Sequence, residues 1–227
     1  MSGLLITGTD TDAGKTLVTL ALMHHLQQQG FSVLGFKPVA SGCPDWRGAD
    51  ALALQAQGST RQPYELINPW AFVPPIAPHL AAALAGVYIE LAPIVQAYQR
   101  LHEQADWVLV EGVGGWRVPL AANLEVSDLA KHLQLPVVLV VGGRLGCLNH
   151  AQLTVESILA QGSPLIGWIG TQCDPAMHYW AENIATLYEL LPVPCLGVIP
   201  WLNQPTPEQA SQALDAAALK RMIEKTT

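Results

Sequence analysis

Six short runs of apolar residues recur along the chain, and most of their positions are apolar in succession rather than alternating with polar ones. The runs cover residues 4–6, 32–36, 107–110, 137–141, 165–169 and 196–199. Such runs are typical of strands that are buried on both faces. Helical patterns separate or follow them, at residues 14–29, 89–104, 127–132, 149–161, 177–190 and 208–224. This alternation predicts an α/β fold with a mostly parallel sheet and helices on both faces.

The segment 58–78 interrupts this rhythm because it contains five prolines. A long proline-rich connection inside a compact domain is usually a functional loop or a linker. Too little chain precedes it for a separate domain, so we interpret it as a loop. The length of 227 residues suits one large α/β unit, and we predict a single domain over residues 1–227.

Charged residues make up only 13% of the chain, about half the ~25% of a typical soluble domain. Either the core is unusually complete, or part of the surface is buried against a partner subunit. The formal net charge of −7 gives no basic field, which argues against nucleic acid as a partner. No apolar stretch approaches the ~18–20 residues that span a bilayer, and no basic segment precedes the first apolar run as in a secretory signal. We therefore expect a cytoplasmic protein with no membrane partner.

The four cysteines support the same compartment. They are Cys43, Cys147, Cys173 and Cys195, and none of them forms a CxxC pair. Widely spaced thiols of this kind indicate buried or idle cysteines in a reducing environment, rather than disulfides or metal ligands.

The strongest motif is GTDTDAGKT at residues 8–16, which we call the phosphate loop. It follows a predicted strand and opens a helix, so its backbone N–H groups and the helix N-terminus favour an anion. Lys15 can reach the β- and γ-phosphates of a nucleotide, and the Thr16 hydroxyl can bind Mg²⁺. In the standard pattern the first glycine would fall at Thr9, whereas here it is Gly8. A glycine-containing turn with a surface lysine is the alternative, and the order strand, loop, Gly-Lys-Thr and helix disfavours it.

Two carboxylates are candidates to bind the same metal. Glu111 follows the run 107–110 at the carboxyl end of a strand, where open α/β sheets bind ligands. The glycines after it allow the backbone to approach phosphates closely. Alone, Glu111 could be a helix cap or a solvated loop residue, but beside the phosphate loop we favour metal binding. Asp50 has two open interpretations, a metal ligand or a helix N-terminal carboxylate stabilised by the dipole.

Lys37 ends the second predicted strand, and Pro38 holds it extended. A lysine at the ligand-facing end of the sheet can stabilise charge on a transferring phosphoryl group. The alternative is a solvated surface lysine.

Together these motifs resemble the dethiobiotin synthetase family. The similarity runs from about residue 3 to 203 and comprises GTDTDAGKT (8–16), KPVASG (37–42), DAL (50–52), NP (68–69), PH (78–79), VEGVGG (110–115), GCLNH (146–150) and PWL (200–202). It implies a P-loop ligase of biotin biosynthesis. Such an enzyme carboxylates 7,8-diaminopelargonic acid with CO₂ and closes the ring at the expense of ATP, giving dethiobiotin, ADP and phosphate. The implied intermediates are a carbamate and a carbamic–phosphoric mixed anhydride.

The resemblance also implies roles for individual residues. Lys37 would be the catalytic lysine, assisted by Lys15 and Thr11, and Ser41 would contact the substrate. Thr16, Asp50 and Glu111 would ligate Mg²⁺, which resolves the two interpretations of Asp50 in favour of a ligand. The residues implied to bind ATP are Asp12, Ala13, Gly14, Lys15, Thr16, Leu17, Glu111, Gly112, Val113, Gly114, Thr171, Gln172, Pro200, Trp201 and Leu202.

The segment 146–150 precedes a predicted helix and is, by itself, an ordinary helix cap. In the family it belongs to the neighbouring subunit, where helix N-terminal amides receive the substrate carboxylate. The resemblance thus implies a homodimer with a shared active site, and Leu148 and Asn149 are the candidate substrate contacts.

The base site departs from the family pattern. Where the family often carries Asn-Asp to hold adenine, this chain has Thr171 and Gln172. Either residue can bond a base edge, and the departure predicts a relaxed choice of nucleotide. Glu208 is a candidate for the acidic residue near the base, although Pro205 and Pro207 loosen that alignment.

The main alternative function is a switch ATPase of the cell-division and plasmid-partitioning type, related to MinD and ParA, which acts on a membrane or DNA. Those proteins carry a second lysine early in the loop, where this chain has Asp10. The membrane type also carries a C-terminal basic amphipathic helix. Here the tail has three basic residues, Lys220, Arg221 and Lys225, which is more typical of a solvated end.

Overall fold

The structure is a computed structural model that describes residues 2–226. Over this range it contains ten strands and ten α-helices. The strands are β1 (Ser2–Gly8), β2 (Val33–Phe36), β3 (Val39–Ser41), β4 (Trp70–Phe72), β5 (Trp107–Gly115), β6 (Pro119–Ala121), β7 (Leu124–Glu125), β8 (Val137–Gly142), β9 (Leu165–Thr171) and β10 (Cys195–Ile199). The helices are α1 (Lys15–Gln28), α2 (Ala49–Gln57), α3 (Tyr64–Ile67), α4 (Pro78–Leu84), α5 (Leu91–His102), α6 (Val126–His132), α7 (Cys147–Ala160), α8 (Trp180–Leu190), α9 (Pro207–Gln212) and α10 (Ala216–Thr226).

Six strands form one parallel sheet in the order β10-β9-β8-β1-β5-β2. β1 lies between β5 and β8, with Leu5 paired to Val110 on one side and Val137 on the other. All six strands coincide with the predicted apolar runs, and the predicted α/β class with a parallel sheet is confirmed. Two small pairs, the parallel β3-β4 and the antiparallel β6-β7, lie outside this sheet.

Helices cover both faces of the sheet, as predicted. Successive residues of a strand point to opposite faces, so Leu4 and Leu5 enter different hydrophobic clusters. The Leu4 cluster includes residues of α1, α9 and α10, whereas the Leu5 cluster includes residues of α5, α6, α7 and α8. Both leucines are fully buried, which explains why polar residues do not alternate along the strand.

Four predicted helices differ from the observed ones by two or more residues at an end, and the first is α5, which covers 91–102 rather than 89–104. The prediction of one helix over residues 208–224 was wrong, because α9 and α10 are separated at Leu214, which forms an antiparallel bridge with Gly197. Helix α7 begins two residues earlier than predicted, directly after Gly146, whose φ of 95° ends the preceding loop. Helix α8 begins later, after Tyr179, which has a φ of 57°.

The proline-rich segment is not the simple loop predicted from its composition. It contains α3 and β4, and β4 pairs in parallel with β3. Asn68 fastens it to the sheet, since its side-chain amide donates to the carbonyl of Lys37 at 2.7 Å and to that of Trp70 at 3.2 Å. The segment therefore forms a fixed wall beside Lys37.

Two further findings concern features predicted from composition. Among residues 2–226 the structure has no helix that is both long and apolar enough to cross a membrane. All four cysteines are free thiols, as predicted, and two of them, Cys43 and Cys147, are buried.

Candidate active site

The phosphate loop connects the end of β1 to the start of α1, so its position is set by the centre of the sheet. Gly14 caps the helix with a φ of 87°, and a Cβ there would lie 2.9 Å from the Thr171 hydroxyl oxygen. Glycine is therefore required by both conformation and space. The amides of Asp12, Ala13 and Gly14 donate to no group in the described part of the chain. This leaves three consecutive donors for a bound anion.

Lys15 lies beneath this loop. Its ammonium group donates to the carbonyl of Asp10 at 2.8 Å, and its side chain is largely buried. Burial, followed by repulsion from the nearby Lys37, lowers the pKa of Lys15 to about 8. An anion placed against the loop would relieve both effects.

Lys37 and two carboxylates form a charged cluster in which Lys37 and Glu111 are buried and Asp50 is half-exposed. The Lys37 Nζ lies 2.5 Å from Oε1 of Glu111 and 3.0 Å from Oδ2 of Asp50. The Thr16 hydroxyl donates to the same Glu111 oxygen at 2.8 Å. Burial by itself would lower the pKa of Lys37, but the carboxylates of Glu111 and Asp50 outweigh it and raise the pKa above its ordinary value. For Asp50, burial would raise the pKa, and the Lys37 ammonium group overcomes this and lowers it.

These positions decide between several alternatives from the sequence. Lys37 is 3% exposed and Glu111 is 0% exposed, so the solvated alternatives for both were wrong. Glu111 lies within β5 rather than after it, because that strand continues to Gly115. Asp50 lies in the first turn of α2 and also contacts Lys37. The position in the first helical turn is therefore confirmed, and the metal-ligand interpretation stays a prediction.

A cavity of about 670 Å³, which we call the phosphate cleft, opens above this cluster. Most of the predicted site residues line it: Thr11, Asp12, Gly14, Lys15, Thr16, Leu17, Lys37, Ser41, Asp50, Glu111, Val113 and Gly114. Its opposite wall was not predicted and is mostly apolar. That wall consists of Ala40, Pro75, Ile76, Ala77, Pro78 and Val118. The sequence signals for it were the unusual density of prolines in residues 58–78 and, for Ala40 and Pro78, their places in the motifs KPVASG and PH.

A smaller cavity of about 220 Å³, the base pocket, shares Asp12, Gly14 and Leu17 with the phosphate cleft. It contains five further predicted nucleotide contacts, which are Thr171, Gln172, Pro200, Trp201 and Leu202. The two cavities are therefore neighbours on either side of the phosphate loop. Glu208 is exposed in the first turn of α9 and is not among the residues that line this pocket.

The polar groups of the base pocket are already engaged. The Thr171 hydroxyl is buried and donates to the carbonyl of Ala13 at 2.6 Å. The Gln172 side-chain oxygen accepts from the backbone N–H of Trp201 at 3.3 Å, and its amide nitrogen donates to the carbonyl of Asp174 at 3.5 Å. Bonds of that length are weak.

Four predicted residues line neither cavity. Ala13 is a fully buried residue of the phosphate loop, and Gly112 lies within β5. Leu148 and Asn149 occupy the first turn of α7, where Asn149 is exposed and Leu148 packs partly against the core. Sequence reasoning missed Arg144, whose guanidinium group donates to the carbonyls of Thr11 and Asp12. A single arginine in a loop carries no local signal for such contacts.

The donor set beneath the cleft fits a magnesium ion. Glu111 Oε2 is buried and has no hydrogen-bond partner among the described residues, so it is free to accept a cation. Within residues 2–226 no group of three or more His, Cys, Asp or Glu side chains could hold a metal alone. Mg²⁺ needs no such cage, since it usually takes one or two carboxylates together with waters and substrate phosphates.

The fold and the cleft together define a P-loop nucleotide-binding protein of the α/β class. Two solved structures show the same fold at low sequence identity. MinD cell-division protein from Aquifex aeolicus has a TM-score of 0.60 at 13% identity and covers 98% of this chain and 97% of its own. Chloroplast FtsY from Physcomitrella patens has a TM-score of 0.52 at 20% identity and covers 96% of this chain and 63% of its own.

The sequence comparisons are more specific. A family model described as an AAA domain matches residues 2–209. ATP-dependent dethiobiotin synthetase BioD of Xanthomonas oryzae pv. oryzae (strain PXO99A) is 52% identical over 212 residues, which is 92% of this chain and 94% of that protein. The protein of the same name from Pseudomonas aeruginosa (strain LESB58) is 50% identical over 224 residues, or 96% of this chain and 98% of its own. The chain belongs to the ATP-dependent dethiobiotin synthetase family.

Proposed function

We propose that this protein carboxylates 7,8-diaminopelargonic acid and closes the ureido ring of dethiobiotin at the expense of ATP. One observation carries the proposal above the others. A phosphate loop and a buried Lys37 face the same cleft as Ser41 and an apolar wall, in a chain half identical to named dethiobiotin synthetases. The apolar wall supports a site for an organic substrate beside the phosphate loop.

The chemistry explains why phosphate and substrate sites must adjoin. One amine of the substrate takes up CO₂ as a carbamate, which is a poor electrophile. Transfer of the ATP γ-phosphoryl group to a carbamate oxygen gives a mixed anhydride and ADP. The second amine then attacks the carbonyl carbon, and the C–O bond to the phosphate breaks. Such a transfer depends mainly on positioning and charge stabilisation.

In this proposal Lys37 acts on both the phosphate site and the substrate site. Its ammonium group is at the floor of the phosphate cleft and remains charged, because the pKa is raised by Glu111 and Asp50. A buried cation aimed at the carbamate oxygen and the transferring phosphoryl group would stabilise the charge that develops there.

Lys15, the free amides of the phosphate loop and Thr11 would hold the phosphate chain of ATP in line with the carbamate. The N-terminus of α1 points at the same place, and its dipole favours an anion. Thr16, Asp50 and Glu111 would hold Mg²⁺, which when bound neutralises charge on the β- and γ-phosphates of ATP.

Ser41 and the apolar wall would orient the diamine. Ser41 ends β3 on one side of the cleft, and Pro75, Ile76 and Val118 give a surface that suits the hydrocarbon chain of the substrate. The wall is fixed by the pairing of β3 with β4, so the amines can be held at a constant distance from Lys37.

We also propose that the active site is completed by a second copy of the chain, which would contribute Leu148 and Asn149. Two exposed leucines at α7 support a partner subunit there. Leu145, just before the helix, is 98% exposed, and Leu153 is 57% exposed. The amides at the start of α7 would then receive the substrate carboxylate. The four free thiols support a cytoplasmic location.

The shared site can be tested by complementation. Lys37→Ala in one chain is co-expressed with Leu148→Asp plus Asn149→Asp in the other, each variant being inactive alone. In a mixed dimer one site carries both defects and the other carries none, so activity should return to about one quarter of wild type. Pairing Lys37→Ala with Lys15→Ala is the control, because both residues belong to one chain's cleft. Equal activity in the two mixtures would argue against a shared site.

The reaction itself is tested by phosphate release with MgATP and bicarbonate, with and without diaminopelargonate. Release should depend on the diamine and match the dethiobiotin formed. Diamine-independent hydrolysis stimulated by lipid vesicles or DNA would favour a switch ATPase instead. The relatives at half identity favour the synthetase, whereas the likeness to MinD concerns the fold alone.

A further inference from the structure

Three consecutive carbonyl groups of the phosphate loop are bonded to side chains from distant parts of the chain. Arg144 donates from Nη2 to the carbonyl of Asp12 at 2.8 Å and to that of Thr11 at 3.3 Å. Thr171 donates from its hydroxyl to the carbonyl of Ala13 at 2.6 Å. Arg144 follows β8 and Thr171 ends β9, so both contacts connect the loop to the parallel sheet.

The direction of these hydrogen bonds sets the direction in which the N–H groups of the phosphate loop point. A peptide unit is planar and trans, so a carbonyl and the N–H of the next residue point in opposite directions. Fixing the carbonyls of Thr11, Asp12 and Ala13 from outside therefore aims the N–H groups of Asp12, Ala13 and Gly14 the other way. Those are the three amides that have no partner within residues 2–226.

The backbone of this loop also needs external support. Asp12 has a φ of 55°, in the left-handed region that a non-glycine residue adopts at a cost. Ala13 is wedged between two strands, since a Cβ at Gly142 would lie 2.9 Å from the Ala13 Cα. A strained backbone of this kind persists when the surrounding structure holds it in place. Arg144 and Thr171 hold it through their hydrogen bonds to the loop carbonyls.

We propose that Arg144 and Thr171 are positioning residues that hold the phosphate loop in its anion-binding conformation. For Thr171 this role replaces the predicted contact with the base, because its only hydroxyl proton is already donated to Ala13. The inference rests on the proposed function only in taking residues 12–14 as the phosphate site of a nucleotide.

The Thr171 contact is tested with a pair of variants. Thr171→Val keeps the shape but removes the hydroxyl, and Thr171→Ser keeps the hydroxyl. The dissociation constants of ATP and of inorganic triphosphate are measured by displacement of a fluorescent ADP analogue. Thr171→Val should weaken both ligands by the same factor, about 3- to 10-fold, which is the typical value of one hydrogen bond. Thr171→Ser should bind both as wild type does.

A contact between Thr171 and the base predicts another pattern. Thr171→Val would then weaken ATP and leave triphosphate unchanged, which would overturn the inference. The melting temperature without ligand is recorded for both variants, and the comparison between the two ligands is made within each folded variant. If substitution at residue 171 merely disrupted the fold, triphosphate would not bind normally to Thr171→Ser while binding weakly to Thr171→Val.

The test of Arg144 separates the geometry of its hydrogen bonds from the effect of its positive charge. Arg144→Gln removes the charge and the guanidinium group, whereas Arg144→Lys keeps the charge, and with it the attraction to Asp10 that lies 3.7 Å from Nη1, but on a shorter side chain that cannot place its nitrogen where Nη2 lies. Positioning predicts that triphosphate binding falls by about 3- to 10-fold in Arg144→Gln and remains impaired in Arg144→Lys. Full recovery in Arg144→Lys would mean that only the charge matters, and would overturn the role given to Arg144.

These measurements contain no diamine, so they separate two failures. If phosphate release proves independent of diaminopelargonate while the variants behave as expected, the proposed reaction fails and the inference stands. If the diamine is required but the variants bind triphosphate as wild type does, the reaction stands and the inference fails.

Discussion

The phosphate cleft and the base pocket lie side by side but differ in how firmly their polar groups are held. In the cleft, Lys37, Glu111 and Thr16 are joined by short bonds and are mostly buried. In the base pocket, the side chain of Gln172 makes only long hydrogen bonds, and Trp201 is 48% exposed. The side chain of Gln172 is therefore held less firmly than the charged groups of the cleft, and under the proposed function we expect it to contribute less to ligand binding.

The largest effect should come from removing the charge at the centre of the cleft. We expect Lys37→Ala and Lys37→Gln to reduce turnover by about 10²–10³-fold or more, because an oriented cation at the reacting oxygens is lost. ATP should still bind, since the phosphate loop is intact. Lys131→Ala, at an exposed lysine of α6, is the matched control and should be silent. Wild-type turnover in either Lys37 variant would remove this residue from the mechanism.

The second effect concerns stability. Glu111→Gln leaves the buried Lys37 ammonium group with the half-exposed Asp50 as its ionic partner and a 3.3 Å bond to the carbonyl of Gly112, so the free energy of unfolding should fall by about 3 kcal/mol. Adding Lys37→Met should recover most of that loss, because no buried charge is then uncompensated. Urea titrations of the two single variants and the double variant give the coupling directly. A double variant that is no more stable than Glu111→Gln would show that the ion pair is not what stabilises the cleft.

The third effect concerns metal binding. Lys37 lies between the carboxylates of Asp50 and Glu111, so its positive charge repels a divalent cation bound to the same two side chains. Lys37→Met should therefore tighten Mn²⁺ binding in the presence of ADP by about tenfold. The concentration of free Mn²⁺ followed by electron paramagnetic resonance is the measurement. Asp50→Asn should weaken Mn²⁺ binding, and the opposite order of the two variants would contradict the proposed ligands.

The smallest effect should appear in the base pocket. Gln172→Ala should change the affinity for ATP by no more than about threefold, because the bonds of Gln172 are long. Turnover with GTP and CTP should remain within about tenfold of that with ATP, since only a weakly held amide is available to discriminate between bases. Steady-state rates with the three nucleotides provide the check. A preference for ATP of several hundredfold would contradict this part of the comparison.

The same comparison shows what the sequence can predict. The phosphate loop was predicted because strand, loop and helix are adjacent in the chain. The six strands were predicted because burial on both faces leaves an unbroken apolar run. The ion pair of Lys37 with Glu111 joins residues 74 positions apart, and no local pattern contains it.

The predictions that were wrong, and the contacts that were missed, also depend on tertiary structure. The break between α9 and α10 depends on the bridge of Leu214 to Gly197, which a helical pattern cannot reveal. The proline-rich segment is ordered by Asn68, whose bonds reach the backbone of Lys37. The contacts of Arg144 and Thr171 with the phosphate loop join residues more than 130 positions apart.

The most direct test of the whole account follows oxygen during turnover. The protein is given C¹⁸O₂, diaminopelargonate and MgATP for times short against exchange with water, and the phosphate is analysed by mass spectrometry. If the carbamate oxygen attacks the γ-phosphoryl group and leaves with it at ring closure, each phosphate should carry one ¹⁸O atom. Unlabelled phosphate formed together with labelled dethiobiotin would contradict the mixed anhydride. It would also contradict the role proposed for Lys37 in the phosphate cleft.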